Sequence, residues 1–342
     1  MKIISLAALF CLMWNSIYAQ NYQSVTAESG DGIYSLLRRN GLDPSEYLAA
    51  FIELNSQHLG PNNSLIAGRK YKLPLKKSAS STPAASTRSP VVSTPKKTVR
   101  YEIFGPQYQD VALIDNQLKG TVYYLISGHG GPDPGAIGHY NGSALCEDEY
   151  AYDVTLRLAR CLLEHGAQVF MIVRDPKNGI RDESILKPDK NEVCYPKQVI
   201  PLNQVARLRQ RKDIVNKLYE QNRGAYQRLI EIHLDSRSKG TNIDVFFYYR
   251  GDSSEGRRLA LTMQRTFKQK YDRHQPERGY TGTVSERNLY VLKNAMPTSV
   301  FIELGNINHE RDQKRFMLAD NRQALANWLC ESVIKDFTSR RK

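Results

Sequence analysis

The chain has 342 residues, with 48 Lys or Arg against 35 Asp or Glu and a formal net charge of +13. That length suits one or two domains at roughly 100–200 residues each, too large to depend on a disulfide framework. A basic balance invites a nucleic-acid reading. Its placement argues against one, because six basic residues and no acidic one fall between Lys76 and Arg100, whereas Tyr22 to Leu75 carries five of each. No nucleic-acid partner is expected, and anionic envelope polymers fit better.

Lys2, an apolar run from Ile3 to Trp14 and the small residues of "SIYAQ" predict a secretory signal peptide over residues 1–19. The run is shorter than the roughly 20 residues a bilayer span needs. No later segment is longer and as apolar, so the mature form is expected without a membrane span, in the periplasm, cell wall or extracellular space of a bacterium. Cys146, Cys161, Cys194 and Cys330 remain after cleavage. Export permits disulfides without requiring them, and the absence of a CxxC argues against a thiolate zinc site or a redox motif.

Tyr22 to Pro74 has the order strand, helix, helix, strand. Ile33, Leu36 and Leu37 fall at helical spacing until Gly41, and Asp43 is placed to cap a second helix carrying Tyr47, Leu48, Phe51 and Leu54. A closing strand follows in "AGRKYKLP". Gly30-Asp31 before the first helix, Asn55 after the second and the Gly68 to Pro74 ending make residues 22–75 resemble a LysM module, with Gly32 where that family usually has Thr. The resemblance implies binding to the N-acetylglucosamine-containing glycan strand of peptidoglycan. From Ser78 to Pro95, fifteen of eighteen residues are Ser, Thr, Pro or Ala, so residues 76–100 are predicted to form a disordered linker.

Beyond it, the apolar runs "TVYYLIS", "AQVFMIV", "RLIEIHL", "IDVFFYY" and "TSVFIEL" alternate with helical stretches at 149–165, 205–222, 255–271 and 312–337. This pattern predicts an α/β fold, a twisted and largely parallel central sheet flanked by helices, over residues 101–342. Three of the runs hold an ionisable residue: His129 after "YYLISG", His233 in "LIEIHLDS" and Glu303 in "VFIELGN". Burying such groups unpaired is costly, so a shared site is expected. Taken alone, Glu231, His233 and Asp235 could equally form a solvated polar face. A hydrolytic zinc site needs three protein ligands from His and carboxylate with an open position for water. Glu147, Asp148 and Glu149 at the head of a helix offer carboxylates, but acidic first turns are also ordinary partners of the helix dipole.

"SGHGGPDPGAIG", the acidic helix head ending "LEHGAQVFMIVRD", "IEIHLDS" and "LYVLKNAMPTSVFIELGNI" together resemble the zinc-dependent N-acetylmuramoyl-L-alanine amidases, in order and across nearly all of the second part. The resemblance implies a phosphorylase/hydrolase-like α/β domain with one Zn2+. It places the zinc ligands on His129, Glu147 and His233, with Glu149 the alternative to Glu147, and the general base on Glu303. It further implies water as nucleophile and, as substrate, the amide between N-acetylmuramic acid and L-alanine of the peptidoglycan stem peptide. The competing class is an amidase-like wall-binding or recruitment protein without catalysis. Asp235 could orient His233 or, equally, serve a turn at the strand end; Arg211 and Asn216 are expected to be structural. His139, His58, His165 and His274 lack a motif and are expected at the surface. Ile126-Ser127 and "GNINHE" depart from the family's "DPGHGG" and "GFISNP". The long connection from Arg174 to Leu202 is expected to border the cleft and tune access or regulation, the alternative being a tolerated surface insertion.

Overall fold

The computed structural model describes residues 22–28, 31–42, 44–60, 65–75 and 98–341. The predicted signal peptide, residues 76–97 of the predicted linker and the capping position Asp43 lie outside them. The N-terminal unit runs β1 (Ser24–Thr26), α1 (Ile33–Arg39), α2 (Pro44–Asn55) and β2 (Lys70–Lys72). The two strands pair antiparallel with Val25 opposite Tyr71. Ile33, Leu36, Leu37, Phe51 and Tyr71 close a core of their own. Gly41, at φ +69, takes the left-handed conformation that ends α1 while Leu42 N–H bonds back to the Leu37 carbonyl. Buried Asn55 clamps β2: its amide donates to the Lys72 carbonyl and its Oδ1 accepts from Lys72 N–H, both at 2.8 Å.

Residues 98–100, assigned to the linker by composition, are instead strand β3 (Thr98–Arg100), paired antiparallel with β4 (Asp110–Ala112). Thr98 and Val99 are β-branched and suit a strand once a partner exists, which composition does not reveal. The central sheet holds six strands in the order β14 (Val284–Glu286), β13 (Phe246–Tyr249), β15 (Thr298–Asn306), β12 (Tyr226–Asp235), β5 (Thr121–Ser127) and β8 (Gln168–Met171). β12 runs parallel to both β5 and β15, and β8 parallel to β5; β13 alone opposes its neighbour β15. All five apolar runs thus contribute strands to the sheet, and the short edge strand β14 adds to them.

Side chains alternate across this sheet. Tyr123 and Leu125 of β5 join a core with α3 (Glu147–Glu164), α5 (Ser254–His274) and the C-terminal helices, whereas Val122, Tyr124 and Ile126 join a second core with α4 (Gln204–Gln221) and α6 (Tyr290–Asn294). Helices on both faces are why β5 is buried along its whole length. The stretch read as one helix over 312–337 is two, α7 (Glu310–Met317) and α8 (Ala319–Thr338), broken at Leu318, whose ψ of 124 is extended. Buried Arg322 of α8 and Arg157 of α3 both bond Asp153 Oδ2, at 2.6 and 2.7 Å, tying the two helices together. His165 is not a free surface residue: its Nδ1 lies 2.9 Å from Asp115, and its ring stands beside the thiols of Cys161 and Cys330.

Candidate active site

β5, β12 and β15 end at one edge of the sheet, the place where open α/β sheets build their sites. His129 lies two residues past the end of β5. His233 is near the end of β12 and pairs in register with Glu303 of β15. Glu147 arrives through the hairpin β6 (Ile137–Tyr140) and β7 (Ser143–Cys146), which delivers the chain to the first residue of α3. His129 Nε2 lies 3.3 Å from Glu147 Oε2, and His233 Nδ1 lies 2.8 Å from Glu147 Oε1. The imidazoles meet edge to face with centroids 5.0 Å apart. The three residues from separate segments therefore present ligand atoms within 4.8 Å of one another.

Each ring is held from behind by a second carboxylate. His129 Nδ1 lies 2.9 Å from Asp133 Oδ2, which in turn accepts from Arg207 Nη2 at 2.6 Å. His233 Nε2 lies 3.2 Å from Glu231 Oε1, and Phe301 stacks on the same ring at 4.3 Å. Such partners fix which nitrogen faces inward and how the ring is oriented. The strand 226–235 is thus no solvated polar face, because Glu231 is 2% exposed. Asp235, the orienting partner suggested by the sequence, instead pairs with Arg237 at 2.7 Å. Sequence patterning singles out none of Asp133, Arg207 and Glu231 as partners that hold the two imidazoles. The signal for Glu231 was available, since i and i+2 share one face of a strand. Asp133 depends on a loop path that spacing does not reveal.

Backbone geometry is equally specific. His129 has φ 60, a left-handed conformation uncommon for a residue with a side chain. Arg211 donates to its carbonyl oxygen, holding the turn from α4. A Cβ on Gly128 would stand 2.3 Å from the His233 ring, so only glycine lets β5 pass that close. Asn216 bonds the Asn294 carbonyl and Met296 N–H, fastening α4 to the end of α6 as a structural residue. Asn306 is fully buried; its amide donates to the Ser238 and Thr241 carbonyls and its Oδ1 accepts from Arg237 and Asn308 N–H. That departure in "GNINHE" secures the loop after β12.

Electrostatics follow from these contacts. Burial would lower the His129 pKa, but Asp133 and Glu147 push it up to about 9. For His233, burial is outweighed by Glu147 and Glu231, raising it to about 10. Glu147 is held well below the usual carboxylate range, because the two imidazoles overcome its burial. Glu303 behaves oppositely. Burial pushes its carboxyl up to about 8, against the pull of His233 and with the repulsion of Glu147, and its Oε2 has no hydrogen-bond partner. A carboxyl poised near neutrality beside a cluster of this kind can hold and release a proton.

Glu149 does not compete for the imidazoles: its Oε2 pairs with Arg181 at 2.7 Å and its Oε1 accepts from Asp189 N–H. The segment 175–202, with β9 (Val173–Arg174), β10 (Val193–Cys194) and β11 (Gln198–Val199) as a small antiparallel sheet, packs against the His129 loop. Glu192 Oε2 accepts from Gly131 N–H at 2.7 Å. The cleft itself is lined by His129, His233, Arg207, Tyr290 and Phe301, among others.

Comparison with known proteins supplies the family. A model of the family described as N-acetylmuramoyl-L-alanine amidase matches residues 124–335. The germination-specific N-acetylmuramoyl-L-alanine amidase of Bacillus subtilis (strain 168) is 23% identical over 229 residues, 65% of this chain and 82% of that protein. Among solved structures, the CwlD amidase from Clostridioides difficile, in complex with the GerS lipoprotein, is 23% identical at a TM-score of 0.47, covering 64% of this chain and 98% of that one. The N-acetylmuramoyl-L-alanine amidase AmiC2 of Nostoc punctiforme is 20% identical at 0.46, over 65% and 99%. With the family match extending over more than half its length, the chain belongs to the N-acetylmuramoyl-L-alanine amidases, enzymes that cleave an amide bond of peptidoglycan.

Proposed function

We propose that the chain is an exported zinc amidase that releases stem peptides by cutting the amide between N-acetylmuramic acid and L-alanine. His129, Glu147 and His233 would hold the zinc, and Glu303 would serve as general base. The observation that carries this reading is the convergence of two imidazole nitrogens on one carboxylate, each ring backed by a further carboxylate, Asp133 or Glu231. Two neutral imidazoles and one carboxylate are a donor set suited to hydrolytic zinc. When bound, the metal supplies Lewis acidity toward the scissile carbonyl and lowers the pKa of water.

The remaining steps belong to the chain. Asp133 and Glu231 keep the rings turned inward. Glu303 takes the proton of the attacking water and returns it to the departing amine of L-alanine, for which a pKa near the working pH is the effective choice. Residues 22–75 act as a LysM module on the glycan strand, residues 76–97 tether it to the enzyme, and residues 1–19 direct export.

The test is incubation of the mature protein with purified peptidoglycan, with and without a chelator, followed by mass spectrometry of the released fragments. Peptides beginning with L-alanine, absent after chelation and absent with Glu303→Ala, are expected. Fragments in which muramic acid keeps its peptide would overturn the reading. Deleting residues 22–75 should weaken wall binding while sparing a small soluble substrate; unchanged binding would refute the targeting role.

A further inference from the structure

Beside the imidazole site, and separate from it, lies a cluster that the reaction above does not use. Asp148 and Glu149 follow Glu147 in the first turn of α3 but diverge from it, as residues about 100° apart on a helix must. They meet Glu192 of the 175–202 segment, and one carboxylate oxygen from each of the three falls within 4.8 Å of the others. Glu192 also belongs to a second such group with Asp175 and Asp189. Asp148, Glu149, Asp175 and Glu192 are 3%, 1%, 4% and 6% exposed. Against this buried negative charge the directly paired cation is Arg181, on Glu149.

The hydrogen bonds do not complete the set. Asp148 Oδ1 accepts from Glu149 N–H, but its Oδ2 is buried with no partner. The side-chain oxygen of Asn191, next to Glu192, is buried and unpartnered as well. Asp175 and Asp189 share the Asn178 amide, at 2.8 and 2.7 Å, so the second group is largely satisfied; in the first, Glu149 has Arg181 and the Asp189 N–H, Glu192 has the Gly131 N–H, and the missing donor is the one Asp148 Oδ2 lacks. Buried carboxylates that lack donors need a counter-charge. An all-oxygen acidic set suits a hard divalent cation rather than the softer metals that imidazole favours.

We propose that Asp148, Glu149 and Glu192 bind a calcium ion that fastens the 175–202 segment to the head of α3 and, through the Glu192 to Gly131 hydrogen bond, to the His129 loop. Calcium is preferred to magnesium because the donors come from a helix turn and an irregular loop, and calcium tolerates variable geometry where magnesium demands an octahedron. The site takes a structural cation; the hydrolytic metal belongs to the imidazoles.

The experiment uses the full mature chain, cleared with a calcium-selective chelator, supplied with zinc and titrated with calcium chloride by calorimetry, with Tm and zinc content measured in parallel. One calcium per chain and a Tm that climbs with the logarithm of free calcium are expected. Asp148→Asn and Glu192→Gln should abolish both responses while leaving zinc content and far-UV circular dichroism unchanged. Because these substitutions also remove buried repulsion, their calcium-free Tm should equal or exceed that of the unaltered protein. No calcium heat and no Tm rise at millimolar calcium, a response to magnesium chloride but not calcium, or a calcium response that survives in both variants would each overturn the proposal. Zinc content is read separately, so failure here leaves the zinc reading intact, and loss of zinc binding leaves this one testable.

Discussion

Two acidic settings begin on one turn of α3 and differ in what faces them. Glu147 looks into two imidazoles, which hold it ionised despite its burial. Asp148, its neighbour, looks toward Glu149 and Glu192, and burial together with those carboxylates drives its pKa up to about 8. Three consecutive residues of similar chemistry thus differ widely in proton affinity. The difference lies in direction rather than residue type: the helix aims one carboxylate at nitrogen donors on the sheet edge and two at an acidic loop. On the two proposals above, donor softness would separate the cation of one setting from that of the other.

The largest expected effect isolates one setting from the other. His233→Ala should eliminate bound zinc, read by metal analysis, and with it peptidoglycan cleavage, while the calcium-dependent Tm rise persists. If calcium binding vanished too, the two settings would be one site. Next, Glu303→Gln should lower cleavage about 10²- to 10⁴-fold with zinc content unchanged, the range attached to a general base. A loss of zinc in that variant would reassign Glu303 as a ligand. Asp133→Asn and Glu231→Gln should each weaken zinc affinity by roughly 10- to 100-fold, measured by competition with a chelating dye. Asp148→Asn, on the other side of Glu147, should leave that affinity unaltered.

The smallest effect is in pH dependence. Burial, with Glu149 and Asp189 adding to it, raises Glu192 from its ordinary 4.5 to about 7, against the pull of the Gly131 N–H bond. A carboxyl whose folded pKa is raised favours the fold while it stays protonated, and that contribution is lost as pH rises through the folded value. The calcium-free Tm should therefore decline between about pH 5 and 8 more steeply than that of Glu192→Gln, and saturating calcium should flatten the decline. Parallel profiles for the two proteins would show that Glu192 carries no such burden.

Much of this was legible in the sequence. The five apolar runs marked the sheet, because burial on both faces leaves a continuous hydrophobic signature. His129, His233 and Glu303 stood out as ionisable residues where such runs end, and the structure brings them to one edge. The choice of Glu147 over Glu149 needed a resemblance, since three adjacent acids look alike until the helix's angular position is known. Asp133 was illegible because its approach to His129 depends on a turn through positive φ. Asp235 misled because the strand register shifts between His233 and Asp235, and the Asp235 carboxylate pairs with Arg237 instead, an irregularity that spacing does not announce. The break at Leu318 left no glycine or proline to announce it.

Gly128 has a consequence for mutational scanning. It contributes no donor, no proton and no ligand atom, yet an added methyl would collide with the His233 ring at 2.3 Å. In a saturation library, position 128 should score like a member of the catalytic set, intolerant even of alanine, and a reader of that library would mistake clearance for chemistry.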